Sequence, residues 1–139
     1  MTESKAPLRT PDSRIRVILV VEDEALIRLD ISEHLRGCGF QVHEASNAAR
    51  AIEILEAGDQ GIDLVFSDLQ MPGDMDGIGL SQWIETNRPG LQVLLTSGDD
   101  TKAAAASSLC EREHFFRKPY DVDNVATHIR TLIEGSPLG

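Results

Sequence analysis

The sequence predicts an α/β fold in which helices cover both faces of a five-stranded parallel sheet. Five short apolar runs alternate with helical patterns along the chain. The runs are nearly continuous, which is typical of strands buried on both faces of a parallel sheet. Alternation of strands and helices also implies right-handed crossovers. The chain therefore predicts one doubly wound (βα)5 domain, for which 139 residues suffice.

Five strands are predicted from runs rich in Val, Ile, Leu and Phe. Only Arg16 interrupts the first run, and charged or turn-forming residues bound the others. In chain order, the predicted strands cover residues 15–21, 41–45, 63–67, 92–96 and 114–117.

A helix is predicted after each strand. In the first helix, Ile27, Ile31 and Leu35 recur every fourth residue, and Gly37 ends the pattern. Asn47 is the predicted N-cap of the second helix. The first predicted helix begins after residue 24, and the second covers residues 48–57. The third ends near residue 87, the fourth covers residues 102–110, and the fifth begins near residue 121.

The predicted domain covers residues 15–134. Residues 1–14, which contain two prolines and no apolar period, are predicted to be a flexible arm, and residues 135–139 a tail. No apolar run approaches the roughly 20 residues that span a bilayer, and no signal peptide is recognisable. The two cysteines form no CxxC pair, so we expect reduced thiols. A cytoplasmic protein without membrane contact is expected.

The charge of the chain limits its partners. The formal net charge is −10, from 23 acidic and 13 basic residues. Such a charge repels nucleic acid and anionic lipid. Direct nucleic-acid binding is therefore not expected, whereas a metal cation is favoured wherever several carboxylates converge.

Polar residues suited to chemistry follow four of the five predicted strands. Glu22 and Asp23 follow the first strand, Asp68 the third, and Lys118 the fifth, while Thr96 ends the fourth. In open α/β sheets, ligands bind outside the carboxyl ends of the strands. We therefore expect these five side chains to converge at one edge of the sheet.

This combination of side chains predicts phosphoryl chemistry. Three close carboxylates repel one another, and a hard cation such as Mg²⁺ removes the conflict because it prefers oxygen ligands. Lys118 and Thr96 then offer a positive charge and a hydrogen bond to phosphoryl oxygens. Asp68 is the predicted nucleophile, since carboxylates form aspartyl phosphates.

Each of these features alone has an ordinary explanation. Acidic residues are favoured in the first turn of a helix, and an aspartate after a strand is a common turn former. A lysine–proline pair is common in surface turns. Their joint placement at the ends of four strands is what favours a phosphoryl-accepting site.

Four segments resemble a known family. The segments are VILVVEDE, LVFSDLQMP with the later MDG, VLLTSG, and FFRKPY. Together they are similar to the response-regulator receiver domain of two-component systems, over about residues 16–134. The resemblance implies a flavodoxin-like sheet with the strand order 2-1-3-4-5.

The resemblance implies an acceptor and a metal site. Asp68 corresponds to the phosphorylated aspartate and Asp23 to the direct Mg²⁺ ligand. Glu22 corresponds to a partner that usually acts through water, and Gln70 to the residue whose backbone carbonyl contacts the metal. Mg²⁺ is the implied cofactor, and Mn²⁺ is expected to substitute.

The resemblance also implies a switch. Thr96 corresponds to the switch hydroxyl and Phe115 to the aromatic switch residue. Lys118 corresponds to the phosphate-binding lysine, and its bond to Pro119 to the family's cis peptide.

The implied function is that of a single-domain response regulator. It would accept phosphate from a sensor histidine kinase or a histidine phosphotransfer protein. It would signal through a protein target on the face formed by the fourth helix, the fifth strand and the fifth helix, or pass the phosphate onward. Beyond self-catalysed phosphoryl transfer and autodephosphorylation, no enzyme activity is expected. A receiver cut from a longer protein is left open.

Three features depart from the family pattern. The acidic pair is Glu-Asp where Asp-Asp is commonest. The loop MPGDMDG is one residue longer than the usual MPxMDG, which affects the expected loop shape. The segment SLCEREHFF lacks the usual small-residue turn, which affects the expected shape of the fourth helix.

Three other functions fit the sequence less well. A haloacid-dehalogenase-type phosphohydrolase needs Asp-x-Asp after the first strand, but Ala25 stands two residues after Asp23. An FMN carrier needs small glycine- and hydroxyl-containing residues in that loop, which instead is acidic. An interaction domain that is never phosphorylated would have no need of the complete acceptor set.

Overall fold

The computed structural model describes residues 15–58, 61–71, 73, 75–97, 114–117 and 121–134. These residues contain five strands and four helices. The strands are β1 (Val17–Val21), β2 (Gln41–Ala45), β3 (Leu64–Asp68), β4 (Gln92–Ser97) and β5 (His114–Arg117). The helices are α1 (Ala25–Gly37), α2 (Ala48–Ala57), α3 (Gly77–Asn87) and α4 (Val122–Glu134).

All five strands pair in parallel, in the order β2-β1-β3-β4-β5. This confirms the predicted flavodoxin-like α/β fold and the strand order that the resemblance implied. The register sets the site, because Val21 at the end of β1 lies beside Ser67, and Asp68 at the end of β3 lies beside Thr96. The ends of β1, β3 and β4 are thus brought together at one edge.

Two apolar layers lie on opposite faces of the sheet. Successive residues of a strand point to opposite faces, so β1 contributes Leu19 to one layer and Ile18 to the other. The first layer includes buried residues of α2 and α3, and the second includes buried residues of α1 and α4. The predicted core residues of the first helix, Ile27, Ile31 and Leu35, are buried or half-buried. The apolar residues at helical spacing in the other described helices are buried or half-buried too: Ile52, Leu55, Leu80, Ile84, Val125, Ile129, Leu132 and Ile133.

Side chains cap the beginnings of three helices, and at α4 the side chain of Asp121 accepts from the N–H of Asp123 at 2.9 Å. The side chain of Asn47 accepts a hydrogen bond from the N–H of Arg50 at 2.8 Å, as the sequence predicts for an N-cap. Asp76 caps α3 in the same way, accepting from the N–H of Gly79 at 3.0 Å. Gly58 follows α2 with φ +74°, a left-handed conformation that glycine adopts without strain.

Four strand boundaries, in three of the strands, differ from the prediction. β1 begins at Val17, and Ile15 is 65% exposed. Asp63 precedes β3, where its carboxylate accepts from the Val17 N–H and its own N–H donates to the Val17 carbonyl, both at 2.8 Å. β3 and β4 each run one residue further than predicted, to Asp68 and Ser97.

Several predictions concern residues outside the described part of the chain. These are the arm over 1–14, the helix over 102–110, the tail over 135–139, and the roles of Lys118 and Pro119. Within the described residues, the helices are too short or too polar to cross a lipid bilayer.

Candidate functional site

Three carboxylates converge at the carboxyl edge of the sheet. Glu22 and Asp23 follow β1, and Asp68 ends the neighbouring strand β3. One carboxylate oxygen from each residue lies within 4.8 Å of the other two. Like charges at this separation repel strongly where water is partly excluded. The cluster therefore favours a bound cation.

Backbone hydrogen bonds fix Glu22 within this cluster. Its side chain is only 3% exposed. The N–H of Glu22 donates to the carbonyl of Ala45 at 3.0 Å, and its Oε2 accepts from the N–H of Glu24 at 3.1 Å. Asp23 is exposed. The pair thus combines a buried, restrained carboxylate with one that faces solvent.

Asp68 is held by the chain around it. Its side chain is 4% exposed, and its Oδ1 accepts from the N–H of Gln70 at 3.2 Å. The next residue, Leu69, donates its N–H to the carbonyl of Thr96 at 2.8 Å and accepts from the N–H of Gly77 at 2.9 Å. Strand β4 and the start of α3 therefore both position the Asp68 carboxylate.

Thr96 lies beside Asp68 in the parallel register of β3 and β4. It is 1% exposed, and its Oγ1 has no hydrogen-bond partner among the described residues. Buried hydroxyl groups are ordinarily paired. A buried hydroxyl beside the Asp68 carboxylate, without a partner among the described residues, is a group that could donate to a bound oxygen.

Thr96→Val is expected to leave the unphosphorylated protein as stable as the parent, or up to ~1 kcal/mol more stable. Valine has nearly the same shape, and the substitution removes a buried hydroxyl that has no hydrogen-bond partner in the described part of the chain. The same variant should accept phosphate more slowly than the parent. Urea unfolding checks the stability, and a loss above about 2 kcal/mol would show that the hydroxyl has a structural partner.

The other predicted site residues are placed only in part. Gln70 is exposed, and its N–H contacts Asp68, which puts its peptide group next to the carboxylate cluster. The backbone of Phe115, in β5, pairs with that of Leu95 in β4. Lys118 lies outside the described residues.

The donor set fits Mg²⁺. This ion takes oxygen ligands, keeps several waters, and is commonly held by one or two protein carboxylates together with phosphate oxygens. The cluster of Glu22, Asp23 and Asp68 offers oxygens only. It also leaves one side open to solvent, at Asp23.

Asp23→Ala is expected to weaken Mg²⁺ binding by at least about 100-fold, since even outer-shell partners of a metal are worth about 10- to 100-fold. Removing one of three like charges should not destabilise the metal-free protein. The affinity can be measured by Mg²⁺ competition against Mn²⁺ in electron paramagnetic resonance. Asp30→Ala, which removes an exposed carboxylate from α1, is the control. Equal affinities for the two variants would exclude Asp23 as a ligand.

Comparison with known proteins identifies the family of this chain. A family model for the response regulator receiver domain matches residues 18–130. The chain belongs to the response regulator receiver domain family. Receiver domains are the phosphoacceptor domains of two-component response regulators, and this confirms the resemblance inferred from the sequence.

Two solved receiver domains and one curated protein illustrate the similarity. A receiver domain from Clostridium thermocellum has a TM-score of 0.78 and 26% identity, covering 86% of this chain and 95% of its own. The regulator TrrA from Thermotoga maritima, solved with Mg²⁺ and BeF, has a TM-score of 0.75 and 26% identity. The match covers 85% of this chain and 99% of the TrrA chain. The sensor kinase CckA from Brucella abortus is 31% identical over 133 residues, which are 95% of this chain and 14% of that protein.

The receiver domain is a small part of several relatives. The chain spans 14% of the length of the CckA kinase and 24% of the transcriptional regulator NtrC from Escherichia coli. These relatives show that receiver domains of this sequence type occur in proteins of different output.

Two residues of the site were not predicted from the sequence. Gly77 packs against the backbone of Asp68, and only its place in the MDG segment signalled it. Arg28 binds the carbonyl of Glu22. The sequence indicates Arg28 only as a positively charged residue near the N-terminus of the first predicted helix, where the helix dipole disfavours positive charge.

Proposed function

We propose that Asp68 accepts a phosphoryl group from a phosphohistidine of a sensor histidine kinase or histidine phosphotransfer protein. The observation that supports this most is the convergence of Glu22, Asp23 and Asp68 within 4.8 Å. Thr96, whose buried hydroxyl has no partner among the residues that the structure describes, lies beside Asp68. An acceptor, a metal-ligand set and a phosphoryl hydrogen-bond donor are thus adjacent.

The proposed reaction is a displacement at phosphorus. A carboxylate oxygen of Asp68 forms the new P–O bond while the P–N bond to the donor imidazole breaks. The imidazole leaves and takes up a proton from solvent. Water later attacks phosphorus, releases phosphate and regenerates the carboxylate, which limits the lifetime of the signal. The proposed catalysis is limited to phosphoryl transfer onto the protein's own Asp68 and loss of the phosphoryl group from it.

Charge neutralisation and positioning supply most of the catalysis in phosphoryl transfer. Bound Mg²⁺, or Mn²⁺ in its place, would neutralise the charge that three carboxylates and the phosphoryl oxygens bring together. Glu22, Asp23, Asp68 and the backbone carbonyl of Gln70 are the proposed ligands. The Thr96 hydroxyl would donate to one phosphoryl oxygen, and Lys118 would pair with another.

The proposed readout depends on Thr96. Drawing its hydroxyl toward the phosphoryl group would vacate space beside Phe115, whose backbone pairs with the residue before Thr96. The surface that includes β5 and α4, which is the fifth helix of the prediction, would then change its packing. A protein target would bind there. Phosphate shifts such an equilibrium only by its differential interaction with the two states. Onward phosphotransfer is the alternative output, and the net charge of −10 argues against direct nucleic-acid contact.

Phosphotransfer profiling tests this function. Purified histidine kinases and phosphotransfer proteins of the source organism are phosphorylated with radiolabelled ATP and mixed with the protein for short times. We expect fast transfer from one or a few donors and slow transfer from the rest. If the parent takes phosphate from none of them and from no small-molecule donor, the proposal fails.

A further inference from the structure

Arg28 occupies a position that needs an explanation. It lies in the first turns of α1, where the helix dipole disfavours a cation, and its side chain is only 21% exposed. A buried guanidinium is stable when its donors are satisfied by acceptors in a fixed arrangement. Its contacts therefore indicate its role.

The guanidinium bridges the acidic loop and strand β2. Its NH1 donates to the backbone carbonyl of Glu22 at 2.7 Å, and its Nε donates to Oε1 of Glu44 at 3.3 Å. Glu44 precedes Ala45, the residue whose carbonyl binds the N–H of Glu22. The other oxygen of Glu44 accepts from NH2 of Arg36 at 3.1 Å. Glu44 is thus held by two arginines, and Arg28 connects it to the loop.

The bond to the Glu22 carbonyl constrains Asp23. A peptide unit is planar, so the carbonyl of Glu22, the N–H of Asp23 and the Cα of Asp23 move as one body. Fixing that carbonyl fixes the direction in which Asp23 leaves the main chain. Asp23 is exposed, so its own packing does little to restrain it. Arg28 therefore acts on the ligand that burial does not hold.

We propose that Arg28 is a positioning residue for divalent-cation binding, which it achieves by pre-organising the Glu22–Asp23 backbone from an anchor on Glu44. This inference rests on the proposed function, because it assigns a supporting residue to the same metal site. Outer-shell groups that orient ligands are worth about 10- to 100-fold in metal affinity.

The sign of the effect separates positioning from simple electrostatics. A guanidinium near a cation site repels the cation, so removing its charge alone should strengthen metal binding. Positioning predicts the opposite, namely that Arg28→Ala weakens binding although the protein becomes more negative. Arg50 provides a matched control, because it is an exposed arginine whose carboxylate partner, Glu53, lies at 2.9 Å. Arg50→Ala makes the same change in net charge without touching the loop.

The experiment titrates Mn²⁺ into the full chain and follows the free ion by electron paramagnetic resonance, with Mg²⁺ as competitor. We expect Arg28→Ala to bind about tenfold more weakly than the parent, and Arg50→Ala to bind as tightly as the parent or slightly more tightly. Exchange of the Glu24 amide, which donates to the Glu22 carboxylate, should also be faster in metal-free Arg28→Ala. Circular dichroism checks that each variant is folded.

Arg28→Lys supplies the second variant. Lysine keeps the charge but has no fork with which to reach both acceptors, so we expect an affinity between those of Arg28→Ala and the parent. If Arg28→Ala does not fold, Arg28→Lys is the test of the inference. A metal affinity of Arg28→Lys equal to that of the parent then overturns it. Equal affinities for Arg28→Ala and Arg50→Ala overturn it too. If the parent itself binds no divalent cation, the proposed function fails, which is a separate outcome.

Discussion

Asp68→Asn is expected to abolish phosphoryl uptake while the protein keeps its fold. The amide has nearly the shape of the carboxylate and can still accept from the N–H of Gln70 through its oxygen. It is a poor nucleophile, so no acyl phosphate should form. The substitution also removes one of three mutually repelling charges, so the metal-free variant should be at least as stable as the parent.

Intact-mass spectrometry after treatment with acetyl phosphate and Mg²⁺ measures this effect. Asp30→Asn makes the same chemical change at an exposed position of α1 and should be phosphorylated as the parent is. A full phosphoryl adduct on Asp68→Asn would place the acceptor elsewhere.

Gly77→Ala is expected to destabilise the protein by about 3 kcal/mol or more, the upper end of the cost of overpacking a core. A Cβ at this position would lie 2.2 Å from the carbonyl oxygen of Asp68 and 2.6 Å from the Cα of Leu69. Both are main-chain atoms, which cannot rotate aside as a side chain can. Either α3 or the end of β3 must shift, and β3 carries Asp68, the proposed acceptor. Phosphoryl uptake should therefore slow as stability falls.

Gly37→Ala is the control for this substitution. Gly37 ends α1, and nothing lies within 4 Å of a Cβ built there. Alanine is favoured over glycine in a helix by up to about 1 kcal/mol, so this variant should be as stable as the parent or more stable. Urea unfolding of the two variants gives the comparison. A Gly77→Ala protein with the parent's stability would show that the close approach to Asp68 is not rigid.

The strands could be predicted from the sequence because their signal is local. Continuous apolar runs identify buried strands wherever they occur, and both β2 and β5 have the predicted bounds. The predicted strand boundaries that are wrong lie where pairing with another strand determines the end of a strand. Asp63 falls outside β3, where its side chain and main chain both bind Val17, 46 residues away. No local pattern contains that contact.

The carboxylate cluster could also be predicted, for a different reason. The rule that parallel sheets bind ligands at their carboxyl edge turns strand order into proximity, and Glu22, Asp23 and Asp68 do meet there. Strand order itself came from the family resemblance rather than from periodicity. The supporting contacts of Arg28 and Gly77 could not be predicted, because each depends on distances between elements that the sequence pattern does not contain.

The unpaired hydroxyl of Thr96 shows the same limit. The sequence placed a hydroxyl at the end of β4, as the structure does. Whether that hydroxyl is already paired depends on every group packed around it. In the described part of the chain it has no partner, which a sequence pattern could not have told.

The central claim is that this receiver domain takes one phosphoryl group at Asp68 with the help of a divalent cation. Intact-mass spectrometry of the parent with acetyl phosphate, in Mg²⁺ and in excess chelator, tests it most directly. We expect a single phosphoryl adduct in Mg²⁺, which reduction with labelled borohydride and peptide mapping locate at Asp68, and little or no adduct in chelator. An adduct that forms equally fast in chelator, or that maps to another residue, would contradict it.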